Sequence, residues 1–104
     1  MSYLESSDRM TRRIFFGENL PMIVLVEAKE GVIVPEHSHD NADQFTVMLE
    51  GELMLVAGGE KHNLTKEVVF MIPRNVTHSG KVLKDCRYVD YFTASPKLFN
   101  IKET

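Results

Sequence analysis

The stretch Gly31–Gly51, "GVIVPEHSHDNADQFTVMLEG", carries the reading of this chain. It sets His37 and His39 two residues apart, with Gln44 five positions further on. On an extended backbone, residues two apart project to the same side, so both imidazoles face one place. After Gln44 the side chains alternate. Gln44, Thr46 and Met48 share one face, and Phe45, Val47 and Leu49 share the other, as in a strand. The chain has four histidines. A third, His78, stands in "MIPRNVTHSG" (71–80). Three imidazoles and one amide oxygen make a donor set for one divalent transition metal per chain, with Fe, Mn, Ni and Zn all admissible. Such a set leaves a coordination position open, as catalytic metals require. A histidine pair by itself is equally at home in a solvated loop, so the joint pattern is what carries weight. The fourth histidine, His62, lies beside Lys61 and Asn63 and reads as a solvated strand residue.

Outward from this stretch, helical periodicity is nearly absent. Short apolar runs recur between turn residues: "RRIFFG" (12–17), "MIVLVEA" (22–28), "QFTVMLE" (44–50), "ELMLVAG" (52–58), "HNL" (62–64), "VVFMI" (68–72), "HSGKV" (78–82) and "CRYVDYF" (86–92). This pattern is all-β, and residues 1–104 read as a single small barrel or sandwich of short antiparallel strands. Gly58-Gly59 marks a hairpin, and Gly51 reads as a tight turn between two strands. One helical turn is expected at "SPKLFN" (95–100).

Composition removes several classes of function. The net charge is −3 and the basic residues are scattered, which speaks against nucleic acid and anionic membrane surfaces as partners. No apolar run is long enough to span a membrane, and "MSYLESSDRM" is not a signal sequence, so a cytoplasmic protein is expected. The single cysteine, Cys86, reads as a buried structural thiol.

The pattern G-x5-H-x-H-x4-Q-x6-G, followed by P-x-N-x2-H from Pro73 to His78, resembles the two motifs of the cupin superfamily. The resemblance implies a double-stranded β-helix, or jelly-roll barrel, with a metal held by His37, His39, Gln44 and His78. Four positions depart from the common pattern. Gln44 stands where most cupins have glutamate, Asn75 and Glu67 replace glycines, and Val82 stands where an asparagine is usual. A neutral Gln leaves the site one negative charge poorer and the metal more electrophilic. Asn75 tolerates a positive φ.

The order "RR…MIVLVEA…HSH-x4-Q…LEGEL…IPRNVTH…VDYF" is similar, more narrowly, to the pectin-degradation cupins, which linearise unsaturated uronates. In "DYFTASPKLF" (90–99), Asp90 and Phe92 match that family's active-site residues, and Lys97 stands where its arginine is expected. The resemblance thus implies Asp90 as catalytic residue, and Phe92 and Lys97 as substrate contacts. Strand parity puts Cys86, Tyr88, Asp90 and Phe92 on one face. An acid between Tyr and Phe on a barrel-facing side needs a partner, unless the strand end is open to solvent. Thr46, Met48 and Tyr88 are expected to line the same cavity. Met48, Met54 and Met71 read as core filler. Arg12 and Arg13 fall on opposite faces and read as surface residues, although one could reach a substrate carboxylate.

Three functions follow as expectations. The first is a metal-dependent enzyme of isomerase or lyase type, acting on a small carbohydrate acid by ring opening and tautomerisation of a 4,5-unsaturated uronate. The second is an iron-dependent dioxygenase. The third is a non-catalytic module that binds a metal or small ligand. A homodimer is also expected. Phe15 and Phe16 point to opposite faces, and "MIVLVEA" is apolar on both faces except at Glu27, so a second copy is needed as cover.

Overall fold

Two long strands organise the molecule. In the computed structural model, which describes residues 1–94, β5 (Gln44–Ala57) and β8 (His78–Phe92) run 14 and 15 residues. They pair antiparallel along their length, from Gln44 opposite Phe92 to Ala57 opposite His78. Midway, the register shifts between Met48 and Leu53. Gly51 sits at this crease with φ +82°, and a Cβ there would lie 2.1 Å from the Asp85 carbonyl oxygen.

The crease divides the partners. β3 (Met22–Ala28) pairs with the C-terminal half of β8, and β4 (Ile33–His37) with its N-terminal half. On the other side, β7 (Val69–Ile72) pairs with the start of β5, and β6 (Glu60–Leu64) with its end. β1 (Ser2–Ser6) and β2 (Met10–Phe15) extend the β3 edge. One eight-stranded sheet therefore folds into two layers, the all-β jelly-roll expected. The described residues contain no helix, and none that could cross a membrane.

Three details differ from the sequence reading. Gly51 is a bulge and not a turn, so "QFTVMLE" and "ELMLVAG" form one bent strand, as do "HSGKV" and "CRYVDYF". A positive-φ glycine serves a reversal or a bulge equally well, and here a close partner strand keeps the chain going forward. The polar N-terminus forms β1, joined to β2 by a tight turn in which the Ser7 amide donates to the Met10 carbonyl at 2.9 Å. Met71 is 55% exposed and Met54 half-buried, so neither fills the core. Pairing of Gln44 with Ile72 and Phe45 with Met71 turns Met71 outward. The expected turn at "SPKLFN" and the residue Lys97 lie outside the described residues.

Other expectations are met. Gly58 and Gly59 have φ +57° and +84°, both left-handed, as a two-residue hairpin between twisted strands requires. Asn75 and Glu67 take φ +68° and +75° at the positions where glycine is common. Inside, Ile14, Val24, Val26, Leu53, Leu64 and Val82 are almost fully buried, and Cys86 is buried with them, its thiol pushed up to about 11 chiefly by burial. Outside, the paired register lines up Phe15, Ile23, Tyr91, Phe45 and Met71 in one apolar row, and Leu25, Val89, Val47 and Val69 in a second.

Candidate metal centre

The end of β4 and the start of β8 lie side by side, with His37 opposite His78. The chain then leaves β4, and the following loop brings His39 back over the same spot. Gln44 opens β5 in the other layer. Three side chains from one short stretch and the distant His78 thus meet at one end of the barrel. The ring centroids of His37, His39 and His78 are 5.0, 4.2 and 5.4 Å apart, and their nitrogens lie within 4.8 Å of one another. The Asn75 amide donates to the His39 carbonyl at 2.7 Å, and the Arg74 amide to the Asp43 carboxylate at 2.9 Å. These two bonds tie the histidine loop to the turn before β8.

Hydrogen bonding aims the donors. Nδ1 of His37 lies 2.7 Å from the Pro35 carbonyl, and Nδ1 of His78 lies 2.9 Å from that of Val76. A carbonyl can only accept, so Nδ1 carries the proton in each ring and Nε2 keeps its lone pair. Gln44 Nε2 donates to Thr46 Oγ1 at 3.1 Å, which turns Oε1 the other way. His78 Nε2 and Gln44 Oε1 are buried and have no hydrogen-bond partner. Leaving a buried acceptor unmatched costs about 1–3 kcal/mol, so two together mark a place built for a cation. The donors present therefore fit a divalent transition metal, which His37, His39, Gln44 and His78 could hold.

Electrostatics agrees. Burial, and then the neighbouring His37 and His78, lower His39 to about 4. Burial also lowers His78, partly opposed by its bond to Val76. Both rings are neutral near pH 7, as ligands must be. A base depressed in the fold binds fewer protons than it does unfolded, so stability present above about pH 6.5 is lost as pH falls towards 4. Asp90 acts in the opposite direction, because burial raises it to about 6. Its folded form takes up a proton first, which favours the fold as pH drops from about 6 to the ordinary carboxylate range. Metal-free protein should therefore lose stability between pH 6.5 and 4, and Asp90→Asn should lose it more steeply. Thermal melts of both proteins across that range measure the two slopes.

The cavity beside the histidines has a volume of about 510 Å³. Asp90 lies on its wall, flanked across the strands by Val24 and Thr46. Thr46 Oγ1 donates to Asp90 Oδ1 at 2.7 Å, so Gln44, Thr46 and Asp90 form one hydrogen-bonded chain. Tyr88 and Phe92 also line the cavity, and His39 meets Phe92 edge-on at 5.1 Å. The Tyr88 hydroxyl is raised above its ordinary range by burial and then by Asp90.

Met48 is 1% exposed, and its cross-strand partner Tyr88 lines the cavity. One expected placement changes. Arg12, read as a surface residue, lines the cavity. The signal was available in the sequence, since Arg12 and Ile14 are two apart on one strand face and Ile14 is core. His62 is half-buried, tilted against Phe70 at 4.5 Å and remote from the other three histidines in the register.

Residues 24–92 match the family model of the cupin domain. The chain is a cupin. KdgF from Halomonas sp. has a similar structure, with TM-score 0.81 and 23% identity over 90% of this chain and 87% of that one. An RmlC-like cupin from Shewanella frigidimarina gives TM-score 0.81 and 20% identity, covering 93% and 87%. An oxalate decarboxylase variant from Bacillus subtilis gives 0.81 and 14%, covering 90% of this cupin and 28% of that chain. At these identities the likeness is one of fold. No curated protein matches the sequence.

Proposed function

We propose that this cupin is a metal-dependent enzyme that opens and tautomerises the ring of a 4,5-unsaturated uronate. The observation that carries this reading is the Asp90 carboxyl on the cavity wall, tied through Thr46 to a metal-ready Gln44. Fe, Mn, Ni or Zn held by His37, His39, Gln44 and His78 would supply Lewis acidity, stabilising negative charge that develops on a substrate oxygen.

The chain's own groups supply the rest. Asp90, raised to about 6, changes protonation near neutral pH, where a general acid–base is most effective. It would take the proton of the anomeric hydroxyl as the C1–ring oxygen bond breaks, releasing an aldehyde at C1 and an enolate oxygen at C5. It would then deliver that proton to C4 as the enolate becomes a ketone. No atoms are gained or lost, so the net reaction is an isomerisation. Thr46 fixes the carboxyl in place, and Phe92 and Tyr88 offer an apolar and aromatic wall to the sugar ring. Lys97 is proposed as a further substrate contact from the resemblance.

Loss of the conjugated C=C absorbance tests this. Protein loaded with zinc should consume an unsaturated uronate, and His78→Ala, with its metal site broken, should not. Inactivity of the metal-loaded protein on a panel of unsaturated uronates would remove the reading. Oxygen uptake by the iron-loaded protein would favour the dioxygenase instead.

The partner on the outer face is proposed to be a second copy. Phe15, Ile23, Val69 and Met71 are 40–60% exposed within the two apolar rows, and the described residues supply no helix to cover them. Two chains of 11.9 kDa would scatter light as a particle of about 24 kDa. Phe15→Lys should shift it towards monomer at micromolar concentration. A stable monomer in the unaltered protein would contradict this proposal.

A further inference from the structure

We propose that Arg12 is the anchor for a substrate carboxylate, held ready by Glu5 of β1; the inference rests on the sugar-acid reading above and names the residue that selects the acid. Arg12 rises from the inner face of β2. Its cross-strand partner Val26 is buried, Val26 in turn pairs with buried Tyr88, and Ile14 beside it on the same face is buried too. A guanidinium on the inside of a barrel needs an anion. One lies directly opposite on β1: Glu5, with Oε1 2.6 Å from an Arg12 terminal nitrogen, and the Asp90 carboxyl also feels the Arg12 charge.

Three features make this pair a ligand site and not a structural clamp. The side chains remain 29% and 36% exposed, so water and solutes reach the pair and its partners can exchange. Among the described residues lining the cavity, Arg12 is the one lysine or arginine, while Asp90 and Glu36 are acids that repel a carboxylate elsewhere on the wall. On β1 the half-buried positions are Tyr3, which packs against the core, and Glu5, so the strand sets one acid on its inner face, opposite Arg12. The planar fork of arginine accepts a carboxylate through two parallel hydrogen bonds. An acid anchored there has its carboxyl at one side of the cavity and its ring towards Asp90 and the histidines.

Calorimetry on zinc-loaded protein tests this with two stable probes, D-galacturonate and neutral D-galactose. Arg12→Gln should weaken galacturonate binding by roughly tenfold or more while leaving galactose binding and zinc stoichiometry unchanged. Arg12→Lys should recover part of the loss, and Glu5→Gln, which removes the competing carboxylate, should tighten galacturonate several-fold. Lys97→Gln should have the smaller effect of the two cationic positions. Unchanged galacturonate binding in Arg12→Gln would overturn the proposal. So would equal weakening of both sugars, which a merely structural role produces, or a galacturonate preference lost in Lys97→Gln and kept in Arg12→Gln. These affinities are measurable whether or not the protein turns over a uronate, so failure of the reaction and failure of the anchor are separate results.

Discussion

Asp90→Asn should lower kcat on an unsaturated uronate by roughly 10²–10⁴-fold, the usual contribution of a positioned acid–base group. The exchange is nearly isosteric. The amide oxygen can still accept the Thr46 hydroxyl that now reaches Oδ1 at 2.7 Å, so the Gln44–Thr46 chain and the metal content should survive. What disappears is the proton that burial places near pH 6. The pH profile of kcat/KM should therefore lose its limb near 6, and the melting temperature at pH 7 should hold or rise, since a buried charge is removed. Steady-state rates with metal analysis of the same samples check this. Near wild-type kcat in a variant with full metal content would take the proton-transfer role away from Asp90.

Gly51→Ala should be the most damaging single methyl in the molecule. The added Cβ would lie 2.1 Å from the Asp85 carbonyl oxygen and 2.6 Å from the Cys86 Cα, both backbone atoms that cannot turn aside. It would also have to adopt φ +82°. Left-handed strain costs about 1–2 kcal/mol, and forced separation of packed backbone about 1–3 or more. Together they take a large share of the roughly 5–15 kcal/mol that holds a domain folded. Gly31→Ala is the control, because φ there is +92° but no atom lies within 4 Å of the new carbon. It should cost about 1–2 kcal/mol of strain alone. Denaturant melts of the two variants should differ by several kcal/mol. Similar midpoints would mean that β5 and β8 are not held together at the crease.

The contrast between these positions explains what could be read in advance. Gln44 and Thr46 were legible because strand parity is a strict rule and a step of two lands on the same face, whereas His39 lies past the end of β4 and reaches His37 through the loop. The same parity placed Asp90 beside Phe92 and Tyr88. Gly51 was ambiguous, because its φ suits both a reversal and a bulge, and the choice depends on how near β8 passes. "VVFMI" is apolar at every position, so nothing local distinguishes Phe70 and Ile72, which face inward, from Met71, which faces out; pairing with β5 decides it. β1 was invisible because "SYLES" has little to bury, and its strand exists through its ladder with β2. Arg12 was misplaced because charge argued for the surface, while the inner parity it shares with Ile14 argued otherwise and prevailed once Glu5 was opposite.

The central claim is that His37, His39, Gln44 and His78 converge to hold one metal facing Asp90. Anomalous diffraction from crystals of protein purified without a histidine tag tests it most directly. The account predicts one peak per chain, bonded to Nε2 of His37 and His78, to a ring nitrogen of His39 and to Gln44 Oε1 at about 2.0–2.2 Å. A metal-soaked crystal with no peak among these four side chains, or with Gln44 turned so that its Nε2 faces the histidines, would contradict it.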